Sequence, residues 1–296
     1  MKDVVILELI YRIKKPEAIQ RFLKESNVPF KIIEVKDGKH QIFVNQALKS
    51  LKDTVKKGEH LHVFINDEEL DSKIRPERMT LDIAYEDDYV IIVNKPADQQ
   101  IMVTKAHPTG TLANGLQGYY KDHGIKSEIH FVNRLDKESS GLIMLAKNRF
   151  IKYLLSGKSE TDIVREYHAI IDGILDVKKN CIELPIGRVE NSIKREVQLQ
   201  GEECSTTYQV VKEFKRFSLV KVLSETGRTH QVRVHFSHFS FPIVGDELYN
   251  KNRYTINQML LFSSLIRFVH PILDQEINVE LELPEAFKKF MKENGA

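Results

Sequence analysis

Apolar positions fall in many short runs of strand type, interrupted by a few segments of helical spacing. The first run, VVILELIYRI from Val4, predicts a strand. KPEAIQRFLKES then places Ile19, Phe22 and Leu23 on one helical face, with Pro16 near the start of the helix, where proline is tolerated. DGK and KKGE read as turns between further short runs. Residues 67–80 are charged, contain Pro76 and lack apolar periodicity. The expected division is therefore a small α/β domain over 1–70, a linker over 71–80 and a larger domain over 81–296. The larger domain opens with YVIIV, a buried-strand run ended by Lys95-Pro96, and TGTLANGLQGYYKDHG puts Leu112, Leu116 and Tyr119 on one side of a helix. Strands are expected at IMLAK, EYHAIIDGI, EVQLQ, TTYQVVKEF, FSLVKVLSE, LLFSSLIRFVH and INVELEL. QVRVH alternates at strand period, so Gln231, Arg233 and His235 should share one face. Many strands with fewer helices predict an α+β fold with a mixed, mostly antiparallel sheet.

Composition narrows this picture only a little. The 296 residues are 42% hydrophobic and 29% charged, with a formal net charge of +2, so bulk charge does not announce a nucleic-acid binder. Cys181 and Cys204 are far apart and form no CxxC pair, which argues against a zinc site and for two free thiols in a reducing compartment. Asp3 and Glu8 interrupt the N-terminal apolar run, so a signal peptide is not expected. No stretch of about 20 apolar residues predicts a membrane span. A cytoplasmic monomer without metal or cofactor is the expectation, since P-loop and dinucleotide patterns are also lacking.

Two segments carry candidate chemistry. In HFVNRLDKESSGLIMLAKN, residues 130–148, the cluster Asn133, Arg134, Asp136, Lys137 and Glu138 precedes an SSG turn and an apolar strand. A polar loop held against a buried strand suits catalytic groups, and a solvated Arg–Asp surface pair is the alternative. In LSETGRTHQVRVHFSHFSFPIVGDELY, residues 223–249, Gly227, Arg228, His230, Arg233 and His235 offer groups that would meet phosphate or simply line a wet strand face.

These segments resemble the signatures of the RluA-type pseudouridine synthases. NRLDKESSG is similar to the family's H-R-L-D and S-S-G motif, and ETGRTHQVRVHFSHFSFPIVGDELY to its second hallmark. YEDDYVIIVNKP, REYHAIIDGI, PIGR and LLFSSLIRFVHP match further motifs in family order, over roughly residues 80–290. Three positions depart from the pattern: Asn133 replaces the customary histidine, KPADQQIMV lacks the usual glycine after KPA, and Phe262 stands where a histidine is common. IFVNQALKSLKDTVKKGEHLHVFI resembles the αL RNA-binding motif of ribosomal proteins, with Lys31 and Lys36 the main basic candidates.

The resemblance implies an RNA isomerase that flips a uridine out of the stack, at a cost of a few kcal/mol, and converts it to pseudouridine. By carry-over, Asp136 is the essential carboxylate, either attacking the sugar or removing a ribose proton. Arg228 is expected to pair with Asp136, Tyr167 to stack on the uracil, Arg134 to fill the vacated space, Leu261 to wall the base and Arg233 to bind substrate. His107, His230 and His235 are not expected to be general bases. The expected partner is RNA, ribosomal rather than transfer RNA, with no membrane. The rivals are a synthase acting on transfer RNA, a catalytically silent ribosome-assembly protein, and a glycosidase-like hydrolase, which generally uses two carboxylates.

Overall fold

The computed structural model describes residues 5–67, 74–156, 163–224 and 226–296. Val4 of the first expected strand, residues 71–73 of the expected linker and Glu225 lie outside them. The larger part of the chain is built on one sheet, running in the order Lys179–Glu183, Ser205–Phe214, Phe217–Ser224, Ile163–Asp172, Leu261–Val269, Ser140–Ala146, Val90–Lys95, Ile83–Glu86. Among the described residues its one parallel pairing joins Ser140–Ala146 to Leu261–Val269, where Ser140 lies beside Phe262 and Gly141 beside Ser263. The sheet is thus mixed and mostly antiparallel, and with its helices the fold is α+β, as the pattern predicts.

Strand alternation sorts the side chains into two layers. Ile91, Val93, Ile143 and Leu145 point to the face covered by the helix Leu112–Asp122. Further along the same face, Ala169, Ile171, Val220, Val222 and Leu261 pack with Val232 and Phe236 of the helix Gln231–His238. The opposite face carries Val90, Ile92, Leu142 and Met144 against the helix Arg149–Ser156, and Phe262 against Phe287 of the C-terminal helix Glu285–Glu293. Phe262 is therefore a core residue.

The N-terminal residues form a four-stranded antiparallel sheet, ordered Val5–Arg12, His60–Asp67, Ile42–Val44, Ala47–Leu48. The expected helix spans Ile19–Glu25 and buries Ile19 and Leu23, with Pro16 outside it because Glu17–Ala18 first pairs with Thr54–Val55. A single 3-10 turn, Phe30–Ile32, follows. Pro29 removes a donor before this turn and Ile32-Ile33 are β-branched, which together stop a second α-helix. The apolar cluster of this unit, including Ile32, Leu61, Val63 and Ile65, continues without a break into Ile92, Leu142 and Met144 of the larger sheet.

The described part of the expected linker is docked. Glu77 donates its backbone N–H to Asn114 O at 3.0 Å, and Asn114 Nδ2 donates to Arg75 O at 2.9 Å. The contact needs Gly118, where an added Cβ would lie 2.1 Å from Glu77 O. The strap meets mainly polar groups, the backbone of this helix and of Gly110 and the amides of Asn114 and Gln99, which explains why it carries no apolar period.

Candidate active site

The signature loop is pinned from below before it presents any side chain. Asn133 is buried and its Oδ1 accepts from the Met144 N–H at 2.6 Å. Gly141, with φ +105°, brings the strand start against Ser263; a Cβ there would lie 2.2 Å from Ser263 O. That close approach is the physical reason for the glycine in SSG. Lys95, fully buried at the end of its strand, donates to Pro96 O, Gln99 O and Lys137 O at 2.7, 3.1 and 3.0 Å, so one ammonium clamps this loop to its neighbour. Burial lowers the Lys95 pKa to about 8, against the opposing pull of Asp98, Glu138 and Asp136. Asp98, with φ 59°, occupies the left-handed region near the position where the family's usual glycine is missing.

Asp136 stands on this loop with 22% of its side chain exposed. Its Oδ2 accepts from Arg233 Nη1 at 2.9 Å, and His230 Nε2 lies 3.9 Å away. Oδ1 accepts no hydrogen bond among the described residues. Arg233 is 2% exposed and gives its other edge to Asp246, Nε to Oδ2 and Nη2 to Oδ1, each at 2.8 Å. Glu138 Oε2 lies 3.3 Å from Arg233 Nη1, and the Tyr249 ring faces the guanidinium at 5.3 Å. Burial works against the charge of Arg233, and Asp246 followed by Asp136 more than reverse that, so its pKa is raised.

Two expectations are corrected here. Arg228 does not pair with Asp136; its Nη1 lies 3.1 Å from Glu202 and its Nε donates to Glu203 O at 3.3 Å. Arg233 takes that pairing and is too buried to be a surface phosphate contact. The underlying reason is that QVRVH is not a strand. Gln231–His238 is a helix, and all three alternating polar residues are buried. Gln231 bonds Ser205 O, Thr206 and Ser224, while His235 bonds Thr206 and Leu184 O.

All six residues singled out in the sequence nevertheless line one open cleft: Arg134, Asp136, Tyr167, Arg228, Arg233 and Leu261. Tyr167 sits at an irregularity in the pairing of Ile163–Asp172 with Leu261–Val269, a place where strands re-aim side chains. It packs on the cluster that holds Leu261. Burial raises the Tyr167 pKa and Asp136 adds to it, with Arg165 opposing, so its phenol stays protonated. Arg134 is exposed and makes no ion pair among the described residues. Asp136 is the one carboxylate lining this cleft among the described residues; Glu138, which shares Arg233 Nη1 with it, lines a separate polar groove. Asp246, Tyr249 and Lys95 complete the site without having been singled out as functional in the sequence, together with His230, which was set aside there as a general base.

A carboxyl group with one oxygen free, an aromatic ring and an aliphatic wall fit a flat, polar-edged group attached to a sugar. Comparison with known proteins agrees. Residues 89–238 match the family model described as RNA pseudouridylate synthase. The chain is 32% identical to an uncharacterized RNA pseudouridine synthase of Bacillus subtilis, YlyB, over 95% of this chain and 96% of that one. It is also 32% identical to the ribosomal large subunit pseudouridine synthase D of Buchnera aphidicola, over 85% and 86% of the two chains. Among solved structures, human RNA pseudouridylate synthase domain containing 4 matches the fold with a TM-score of 0.56 and 22% identity, covering 71% of this chain and 91% of that one. With a family model over half the chain, near-full-length relatives and a signature loop built around a held carboxylate, the chain belongs to the RNA pseudouridylate synthase family.

Proposed function

We propose that this enzyme isomerises chosen uridines of large-subunit ribosomal RNA, with Asp136 as the essential carboxylate. The observation that carries the reading is the state of Asp136: Arg233 holds Oδ2, and Oδ1 is left open to the cleft. The reaction breaks the bond from ribose to the base nitrogen, turns the base and rejoins the ribose to a ring carbon, whose proton is lost as the nitrogen gains one. Asp136 acts at the sugar, by attack or by removing a ribose proton. Tyr167 stacks on the flipped uracil over Leu261. Arg134, exposed and unpaired at the rim, fills the space left in the RNA, a task suited to a planar, always-charged group. Arg228, also lining the cleft, meets the RNA backbone.

The ribosomal assignment draws on relatives named as ribosomal large subunit synthases. The N-terminal unit supplies additional RNA contact through Lys31 and Lys36, both exposed. No helix among the described residues is long and apolar enough to cross a membrane; the proposal is of a monomer working in the cytoplasm beside its RNA. A hydrolase is disfavoured, since Asp136 is the one carboxylate lining the cleft among the described residues, and Glu138, which shares Arg233 Nη1 with it, lines a separate groove. The test is to map pseudouridines in total RNA from cells with and without the gene, and to assay free uracil. Loss of pseudouridine at defined large-subunit positions supports the proposal. Loss only in transfer RNA, or release of uracil, contradicts it.

A further inference from the structure

We propose that Tyr249 and His230 are positioning residues that order the protons around Asp136, so that an imidazole Nε2–H faces Oδ2 and Oδ1 is left as the reacting oxygen. This rests on the reading that Asp136 acts at the ribose.

Hydrogen bonds run inward from the hairpin made by Ile186–Arg188 and Arg195–Val197. The backbone N–H of Arg195 donates to the Tyr249 hydroxyl at 2.7 Å. A backbone amide can only donate, so this oxygen acts there as acceptor. His230 Nδ1 lies 2.9 Å from the same oxygen, and no other acceptor for the phenol proton occurs among the described residues. We assign the phenol proton to Nδ1, the one acceptor beside it among the described residues. An imidazole that accepts at Nδ1 and is neutral carries its proton on Nε2. Burial pushes the His230 pKa down, with Asp136 pulling the other way, and burial raises that of Tyr249. Neutral pH thus finds a neutral ring and an intact phenol.

Nε2 is the nitrogen that faces Asp136, 3.9 Å from Oδ2. This is long for a hydrogen bond, and contacts of this kind tighten when substrate enters. The chain holds His230 in place at a cost, since its φ of 58° lies in the left-handed region. Tyr249 contributes a second constraint, its ring lying 5.3 Å from the Arg233 guanidinium. Arg233, which donates to Asp136, and His230, which faces it, thus both touch one phenol, which in turn is fixed by a hairpin amide. Both act on Oδ2, and that concentration singles out Oδ1.

Three variants and one spectrum test this. Tyr249→Phe keeps the ring over Arg233 and removes only the hydroxyl. We expect kcat to fall roughly tenfold to hundredfold, the scale of a misaligned reactive group, with RNA affinity within about twofold because phosphate contacts dominate it. In 15N NMR of the wild-type protein, His230 should be in the Nε2–H form, and in Tyr249→Phe a mixture should replace it. A glutamine amide imitates Nε2 and an asparagine amide imitates Nδ1. His230→Gln should therefore retain most of the activity that His230→Asn loses, although asparagine is the better fit to a left-handed backbone. Wild-type His230 found in the Nδ1–H form overturns the proposal, as does equal activity of the Gln and Asn variants or unchanged kcat in Tyr249→Phe. The spectrum needs no substrate. A wild-type protein that makes no pseudouridine while showing the Nε2–H form would refute the functional reading and leave the proton order standing.

Discussion

Asp246→Asn should be among the most destabilising conservative changes in the larger domain. Arg233 is 2% exposed and Asp246 is fully buried, and they share two bonds of 2.8 Å. An asparagine in the same shape puts an NH2 group against an N–H of Arg233, or against the backbone N–H groups of Leu248 and Tyr249 that Oδ1 now accepts. The guanidinium cannot escape by losing its proton. Removing one partner of a buried pair costs about 3–5 kcal/mol. Asp136 and Glu138 remain on Nη1 and offset part of this, so the lower end, about 3 kcal/mol, is expected. At roughly 2–4 °C per kcal/mol, that gives a fall in Tm of about 6–12 °C. The chain has no tryptophan, so far-UV circular dichroism should follow the melt, with urea titration as a second measure. A change below about 1 kcal/mol, in the range of ordinary surface substitutions, would refute the idea that Asp246 is what allows Arg233 to be buried.

Other consequences are simpler to state. Arg134→Ala should impair turnover on structured RNA more than on a flexible single strand, which already lacks much of the stacking cost; equal losses would point to plain phosphate contact. Lys31→Glu with Lys36→Glu should weaken RNA binding, reduce the salt dependence of affinity and leave kcat unchanged; identical salt slopes would remove the N-terminal unit from RNA binding. Lys95 has a folded pKa of about 8 against an ordinary value of 10.5, so between these values the unfolded chain binds the proton more tightly. Stability of the wild type relative to Lys95→Met should therefore rise with pH from about 8 to 10.5. Circular dichroism melts of both proteins across that window check it, and a flat difference would count against the buried ammonium.

The strands were legible because one-sided burial writes a period of two into the sequence. EYHAIIDGI and LLFSSLIRFVH emerge as Ile163–Asp172 and Leu261–Val269. QVRVHF shows where that logic fails. Gln231, Arg233 and His235 are polar but buried and fully bonded, so alternation of residue type does not report alternation of burial. The family resemblance put Arg228 beside Asp136, and the strand reading offered Arg233 to phosphate or to solvent, so neither marked Arg233 as the partner of Asp136. Asp246, far along the chain at a Gly-Asp turn, was readable only as a turn residue until the fold set it on Arg233. Tyr249 and His230 owe their places to a left-handed residue and a hairpin amide, features with no period. Conversely, the NRLDKESSG loop was legible as a unit. Its glycine answers to a 2.2 Å approach and its aspartate sits in the cleft.

The central claim is that Asp136 carries the reaction, and Asp136→Asn tests it most directly. The amide keeps the shape of the side chain and an acceptor for Arg233, while the anion near the ribose is gone. The purified, folded variant is incubated with a substrate RNA confirmed for the wild type, and binding and pseudouridine content are measured in the same samples. RNA affinity should stay close to wild type, since contacts to phosphate are spread over many residues, with pseudouridine below detection. Appreciable pseudouridine from the folded variant would contradict it.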